Sequence, residues 1–229
     1  MKKLTIVMTL TLAFTTAAFA QQVPGGGSVI NFNPQMVGGS FQGTDHGSFK
    51  KNDAFNGIEG SFYLYKIWNF PAVIETENGK TFKINNLNYD LDEEKFLSKI
   101  SNDSVYFYEN LKRIVINKDE FTQIDGNYYQ KLSAKGNLTL LKKYSGKLKK
   151  PVLNKMTNQV LKPAKYLKVE TYFVAVDGDK LIEVSLKKSK IMKLMAAHKK
   201  EIKTFVKTHR LSFKKEADVI KIINHYNSL

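Results

Sequence analysis

The stretch Ala72–Leu87, "AVIETENGKTFKINNL", decides the fold class. Its two halves are rich in β-branched and aromatic residues, and Asn78-Gly79 separates them. Asn-Gly between two such runs predicts a tight β-hairpin, because a type I′ turn needs positive φ at both central positions. The sequence therefore predicts two adjacent antiparallel strands here.

Similar short runs continue on both sides of this hairpin, from Gly57 to about Gly146. They read "SFYLYKIW", "SVYFYE", "RIVINK", "EFTQID" and "YYQKLS", each of strand length. Asp125-Gly126 predicts a second hairpin, and the turn at 177–179 between "VETYFVAV" and "KLIEVSL" predicts a third. Because such short connections join antiparallel neighbours, we expect a mostly antiparallel β-meander followed by a β-hairpin.

The apolar period changes after Ser189, where spacings of three and four replace alternation. One face of a predicted helix of roughly twenty residues, with lysines opposite, carries Ile191, Leu194, Met195, His198, Ile202, Phe205 and His209. A second helix is expected after Ser212 as N-cap, with Val219, Ile220, Ile223 and Tyr226 facing inward. The predicted class is α+β, with the two helices forming a C-terminal hairpin that covers the sheet; a membrane-surface role for the basic helix is the alternative.

The first twenty residues have the layout of a cleavable secretory signal peptide. Lys2 and Lys3 precede an apolar stretch that ends near Phe14, and Ala18-Phe19-Ala20 supplies the small-residue cleavage site. The apolar stretch is shorter than the roughly 20 residues that span a bilayer. We therefore expect an exported protein, periplasmic or secreted, with no transmembrane segment after signal removal.

These patterns divide the chain into five predicted regions. The division is 1–20 signal peptide, 21–56 flexible Gly-rich leader, 57–148 β-rich region, 149–165 basic loop, and 166–229 β-hairpin plus two C-terminal helices. The basic loop is expected because it contains both Pro151 and Pro163, which interrupt strand pairing.

Positive charge is concentrated in one segment of a chain whose formal net charge is +15. From Gly126 to Val169 there are eleven lysines and no acidic residue. Like charges without compensation repel one another and favour contact with anions. The predicted partner-binding residues are Lys142, Lys143, Lys147, Lys149, Lys150 and Lys155. Ordinary solvation of a lysine-rich surface is the competing interpretation.

The sequence contains no catalytic, cofactor or metal-binding motif. With no cysteine, thiol chemistry and zinc-cysteine sites are excluded. The four histidines lack the His-x-x-x-His spacing of a metal site on a helix. The residues "GKT" at 79–81 match the end of a phosphate-binding loop, but the first glycine of that motif would fall at position 74, which is Ile74. Since nearly all cations are lysines rather than arginines, and export separates the protein from nucleic acid, no nucleic-acid partner is expected. We predict a non-enzymatic protein without a cofactor.

Three stretches resemble a family of exported Bacteroidetes proteins of unknown function. They are "GSFYLYKIW" at 60–68, "NGKTFKINNLNYDL" at 78–91 and "ADVIKIINHYNSL" at 217–229. In that family a "GSPYL"-like strand opens the domain and a "YYNSL"-like helix closes it; Phe62 stands here where the family often has proline. The resemblance implies a Gram-negative envelope, hence the periplasm, and no activity.

The predicted function is that of a non-enzymatic binding or accessory protein that contacts an acidic envelope component. That component would be an envelope protein, such as an outer-membrane barrel or a translocon, or anionic lipopolysaccharide. A subunit of an outer-membrane secretion or assembly machine is one such accessory protein. Two alternatives stay open, namely a glycan or small-molecule binder with or without hydrolase activity, and a structural envelope protein.

Overall fold

The computed structural model describes residues 29–31, 47–51, 58–100, 104–134, 136–178 and 180–229. The predicted signal peptide, 1–20, and most of the predicted leader, 21–56, lie outside the described residues. The strands are β1 (Val29–Asn31), β2 (Gly47–Lys51), β3 (Ala72–Thr76), β4 (Thr81–Ile84), β5 (Leu87–Asp90), β6 (Lys95–Lys99), β7 (Ser104–Tyr108), β8 (Leu111–Ile116), β9 (Asp119–Ile124), β10 (Asn127–Lys131), β11 (Leu138–Lys149), β12 (Val152–Leu153), β13 (Val160–Lys162), β14 (Lys165–Val176) and β15 (Lys180–Val184). The helices are α1 (Lys188–Leu194), α2 (Lys199–Thr208) and α3 (Glu216–Tyr226).

The main sheet confirms the predicted antiparallel α+β architecture. Its eight antiparallel strands have the order β4-β3-β8-β9-β10-β11-β14-β15, and β1 adds to the β4 edge in parallel. Four neighbouring pairs are joined by short connections: β3-β4 through 77–80, β8-β9 through 117–118, β9-β10 through 125–126, and β14-β15 through a turn that begins with Asp177 and Gly178. Asp125 and Gly126 both have positive φ, at 49° and 77°, as the two-residue turn requires.

The Asn78-Gly79 turn joins its two strands as predicted, but it is not of type I′. Within this connection Gly79 has a positive φ of 75°, whereas Asn78 does not. The N–H of Gly79 donates to the carbonyl of Thr76 at 2.9 Å, and the N–H of Thr76 donates to that of Lys80 at 3.0 Å. The loop is therefore four residues long, which removes the need for a left-handed asparagine.

A second sheet, β2-β7-β6-β5, packs against one part of the main sheet. Four aromatic rings meet between them, with Phe96 of β6 at 5.1 Å from Phe121 and 5.0 Å from Tyr128, measured between ring centroids. Tyr89 of β5 lies 4.9 Å from Phe96. Phe96 and its neighbours are nearly inaccessible to solvent, so this aromatic cluster holds the two sheets together.

The segment "SFYLYKIW", predicted as a strand, forms no regular strand. Its backbone pairing within 61–68 is a single bridge between Tyr63 and Asp90. The buried Asn88 side chain replaces the ladder at Tyr65: it accepts from the N–H of Tyr65 at 3.1 Å and donates to its carbonyl at 2.8 Å. Hydrogen bonds from one side chain thus tie an irregular segment along the edge of the second sheet.

Three helices, not two, follow the last strand. The predicted helix of roughly twenty residues is interrupted at 195–198; Met195, at the start of the interruption, and Ile202, in the next helix, are both fully buried. Two alanines occupy the break, so low helix propensity does not explain it. Ser212 is not the N-cap of the last helix, which begins after Lys215; the N–H of Ser212 instead donates to Asp218 at 2.9 Å. None of the described helices is long and apolar enough to cross a membrane.

The helices and β11, β14 and β15 enclose a second core. Its fully buried members from the sheet include Leu140 and Val174, and those from the helices include Ile191, Ile202 and Val219. The helices thus cover one face of the sheet at its β11-β14-β15 end, as an α+β fold requires.

The C-terminal end of α3 is attached to the start of β11 through Asn227. Its Nδ2 donates to the carbonyl of Leu138 at 2.7 Å, and its Oδ1 accepts from the N–H of Leu138 at 3.0 Å. Gly136 leaves space for this amide, since a Cβ there would lie 2.4 Å from Cγ of Asn227.

We expect Asn227→Ala to lower the free energy of unfolding by about 1–3 kcal/mol, because it leaves two polar groups of a buried residue without their partner. Asn224→Ala is the matched control, since Asn224 accepts from the exposed N–H of Ala134 and its loss leaves that group in water. Urea unfolding gives both values. Equal midpoints for the two variants would contradict the role of Asn227.

Candidate functional site

The stretch 149–165, predicted as a loop, is the outer part of a long β-hairpin. β11 and β14 pair from Leu138↔Val176 out to Lys149↔Lys165, and β12 pairs with β13 beyond them. The pair Val152↔Lys162 continues the register of Lys149↔Lys165, which places Pro151 opposite Pro163. Because neither proline has an N–H, no backbone hydrogen bonds form between this pair, and the strands pair again beyond it. We call residues 147–167 the hairpin arm.

The base of the hairpin arm is held by the body of the protein. The N–H of Gly146 donates to the carbonyl of Leu91 at 2.6 Å, and the N–H of Tyr166 donates to that of Glu59 at 2.8 Å. A Cβ at Gly146 would lie 3.2 Å from the same Leu91 oxygen, so a side chain would crowd this contact. The rings of Phe62 and Tyr166 meet edge to face at 5.5 Å. Beyond these contacts the arm projects from the sheet.

The hairpin arm is unusually rich in exposed apolar side chains. Nine large apolar residues in the described part of the chain are strongly exposed, and seven of them belong to the arm. They are Leu148, Val152, Leu153, Met156, Val160, Leu161 and Leu167. Met156, at the tip, is 95% exposed. So many exposed apolar side chains on one segment indicate an interaction site rather than ordinary surface variation.

Lysines alternate with these apolar residues. The arm contains six, Lys147, Lys149, Lys150, Lys155, Lys162 and Lys165, and no acidic residue. Lys165 lies 4.0 Å from a carboxylate oxygen of Glu59 at the base. For the other five, no ion pair is found with the described residues. The predicted binding residues Lys147, Lys149, Lys150 and Lys155 thus lie together on an uncompensated surface.

Lys142, also predicted to bind a partner, lies instead inside the protein. Its side chain is 8% exposed, and its Nζ is 2.5 Å from Oε2 of Glu216 and 4.0 Å from Oε2 of Glu170. The ammonium also faces the rings of Tyr144 and Tyr172, at 5.4 and 5.6 Å from their centroids. A cation so placed is a structural ion pair between β11 and α3 and is not available to a partner.

The groups around Lys142 are held in defined protonation states. Burial, followed by the hydrogen bond of 2.7 Å that its hydroxyl donates to Glu216, raises the pKa of Tyr172. Burial would raise the pKa of Glu170, but the hydrogen bond from Lys168 and the charge of Lys142 outweigh it, so that pKa lies below its usual value. Tyr172 therefore stays a hydrogen-bond donor and Glu170 stays an anion at neutral pH.

Lys143 is likewise compensated within the protein. Its Nζ lies 2.7 Å from Oε2 of Glu94 and donates to Oδ1 of Asn127 at 2.9 Å. Its side chain is 22% exposed. The six predicted residues therefore separate into an internal pair, Lys142 and Lys143, and four residues of the hairpin arm.

The sequence offered signals for both features that were missed. Lys142 shares its strand face with Leu138, Leu140 and Tyr144 by two-residue alternation; Leu138 and Leu140 belong to the core beneath the helices, and Tyr144 to the core between the two sheets. In the arm, "KLKKPVLNK" and "VLKPAKYLK" intersperse lysine with leucine and valine, and leucine and valine occur in both halves of the hairpin. The prediction used only the lysines, so it did not include the exposed apolar residues of the hairpin arm.

Among the described residues there is no cluster of three or more His, Asp or Glu side chains that could hold a metal ion. Burial raises the pKa of Asp90, yet its carboxylate accepts from the N–H groups of Asp92 and Glu93 at 2.8 and 3.1 Å. Asp90 thus closes the turn between β5 and β6.

Fold and site together define an α+β protein with a projecting arm that is both basic and apolar. Comparisons with protein-family models, with curated proteins and with solved structures found no match to this chain.

Proposed function

We propose that this protein is a non-enzymatic periplasmic binding or accessory protein that contacts an acidic component of the cell envelope through the hairpin arm. The observation that carries the proposal is the combination, on one projecting hairpin, of five lysines without ion-pair partners among the described residues and seven exposed large apolar side chains.

The electrostatics favour an anionic partner. Ammonium groups crowded on a narrow hairpin repel one another, and an anionic surface lowers that repulsion. Lysine is a hydrated point charge, so the attraction is diffuse, sensitive to salt and independent of a defined bidentate geometry. Acidic rims of envelope proteins, including barrels and translocons, and the phosphates of lipopolysaccharide meet these requirements.

The test replaces the five arm lysines Lys147, Lys149, Lys150, Lys155 and Lys162 with glutamine in one variant. Affinity capture from native envelopes is then compared at low and moderate salt. We expect capture of anionic components to fall by at least about tenfold in the variant and to weaken with salt in the unmodified protein, because the long-range attraction is removed or screened.

A matched control separates the arm from net charge. Lys187, Lys188, Lys190, Lys193 and Lys203, on or beside α1 and α2, are replaced with glutamine, which removes the same number of exposed charges elsewhere. The control should capture envelope components as well as the unmodified protein does. Identical behaviour of the two variants would reject the arm as the binding surface and favour a structural role.

A further inference from the structure

We propose that the component bound by the hairpin arm is the surface of an anionic lipid bilayer, into which the arm tip inserts while its lysines contact lipid phosphates; this inference rests on the proposed function. It specifies the partner's chemistry and assigns separate tasks to the apolar and the basic side chains.

Apolar residues on all sides of the arm favour a bilayer over a protein groove. Directly opposed residues of an antiparallel pair share a face, and successive pairs alternate between faces. Val152 is paired with Lys162, so Leu161, the neighbour of Lys162 on the same strand, lies on the face opposite Val152; the two are 60% and 42% exposed, respectively. A groove on a partner protein covers one face of a hairpin, whereas lipid surrounds an inserted tip completely.

The tip itself carries the strongest apolar exposure. Leu153, Val160 and Leu161 are each 46–61% exposed, and Met156 is almost fully exposed. The turn is closed by the side chain of Asn154, whose Oδ1 accepts from the N–H groups of Met156 and Thr157 at 2.8 and 3.2 Å. This geometry presents Met156 outward without exposing unsatisfied donors at that point, which suits entry into the interfacial region.

The lysines are spaced to remain in the headgroup layer. Shallow insertion places apolar groups about 5–10 Å below the phosphates. From Val152, which is paired with Lys162, to Met156 the arm extends up to about 13 Å, so Lys162 lies close to the phosphates above an inserted tip. Lys147, Lys149 and Lys150 lie further out and contribute through long-range attraction to the anionic surface. Lys155 is adjacent to Met156, but its long side chain extends back to the phosphates while its methylene groups remain in the apolar layer.

Binding is measured by flotation with two kinds of vesicle, phosphatidylglycerol mixed with phosphatidylcholine, and phosphatidylcholine alone. The unmodified protein should float with the anionic vesicles and not with the neutral ones. Each lysine removed from the arm should weaken binding about fivefold at low salt. Leu153→Ser combined with Leu161→Ser should weaken it about tenfold or more at unchanged charge. Lys188→Gln with Lys190→Gln, in α1, is the control for charge.

Insertion is measured separately with Met156→Trp and lipids that carry a quencher on the acyl chain. The added tryptophan should be quenched and its emission shifted to shorter wavelength on anionic vesicles. Leu229→Trp is the matched control, since Leu229 is 52% exposed and follows Asn227, which contacts the opposite end of β11. Its fluorescence, like that of Trp68 in the unmodified protein, should not change. Circular dichroism establishes that every variant is folded.

The outcomes distinguish failure of this inference from failure of the proposed function. Anionic binding without quenching at position 156 overturns insertion. Absence of vesicle binding, together with arm-dependent capture of an acidic envelope protein, overturns the lipid partner and leaves the proposed function standing. If neither vesicle binding nor arm-dependent capture of an acidic envelope protein is seen, both the inference and the proposed function are rejected. Self-association through the arm, seen as lipid-independent dimers that Leu153→Ser and Leu161→Ser abolish, also overturns the inference.

Discussion

Lys142→Met lowers the free energy of unfolding by about 2–4 kcal/mol, whereas Lys147→Met changes it by less than about 0.5 kcal/mol. Both variants keep an unbranched side chain and remove one ammonium group. The difference arises because Lys142 compensates Glu216 at 2.5 Å inside the protein. Once that cation is absent, the Glu216 carboxylate retains the Tyr172 hydroxyl as a donor but no opposite charge at that distance.

A double-mutant cycle isolates the ion pair from the packing of the lysine stem. Glu216→Gln is combined with Lys142→Met, and all four proteins are unfolded in urea at neutral pH. We expect the double variant to be more stable than the sum of the two single changes implies. The reason is that each single change leaves one charge of the pair uncompensated, whereas the double change removes both charges. Additive effects would show that Lys142 contributes through its methylene groups alone.

Phe96→Ala lowers the free energy of unfolding by about 3–5 kcal/mol. Phe96 is fully buried, and its ring contacts Tyr89 within the second sheet as well as Phe121 and Tyr128 in the main sheet. Removing it creates a cavity where the two sheets meet, and aromatic contacts that exceed simple area burial are lost with it.

The comparison is Phe173→Ala, on the other side of the main sheet. Phe173 is half-buried and has an edge-to-face contact with Tyr129 at 5.2 Å. We expect a cost of about 1–2 kcal/mol there, because water already reaches part of the ring. Urea unfolding of both variants gives these values, and the midpoints are comparable when the slopes of the free energy against urea concentration are equal. If Phe96→Ala lowers the free energy of unfolding no more than Phe173→Ala does, the aromatic cluster is not what joins the sheets.

Strand pairing was predictable from local chemistry wherever alternation and a turn coincided. Asp125-Gly126 adopts positive φ at both positions and Asp177-Gly178 does as well, so both hairpins formed as expected. The segment at 61–68 alternates in the same way but is irregular, because the Asn88 side chain supplies the hydrogen bonds that a neighbouring strand would provide. Alternation identifies a half-buried segment, and its hydrogen-bond partners decide whether it is a strand.

The position of the candidate site was predictable from the sequence, but the residues available in it were predicted only in part. Its position within 147–155 follows from uncompensated charge, and four of the six predicted lysines lie on the hairpin arm. The compensation of Lys142 by Glu216 joins residues 74 positions apart, and no local pattern encodes that proximity. The prediction of a loop at 149–165 failed because two prolines were taken as ends of structure, whereas opposed prolines interrupt one level of a ladder that then resumes.

The amino-acid sequence by itself determined the antiparallel α+β class, the turns and the excess of lysine, since each depends on neighbours within a few residues along the chain. Tertiary structure alone decided which lysines are free to bind. Burial beneath α3 gives Lys142 an internal carboxylate partner, while the same strand, continued past its last contact with the body, leaves its lysines and apolar side chains exposed. Charge is a property of the residue, but its availability depends on what the fold places beside it.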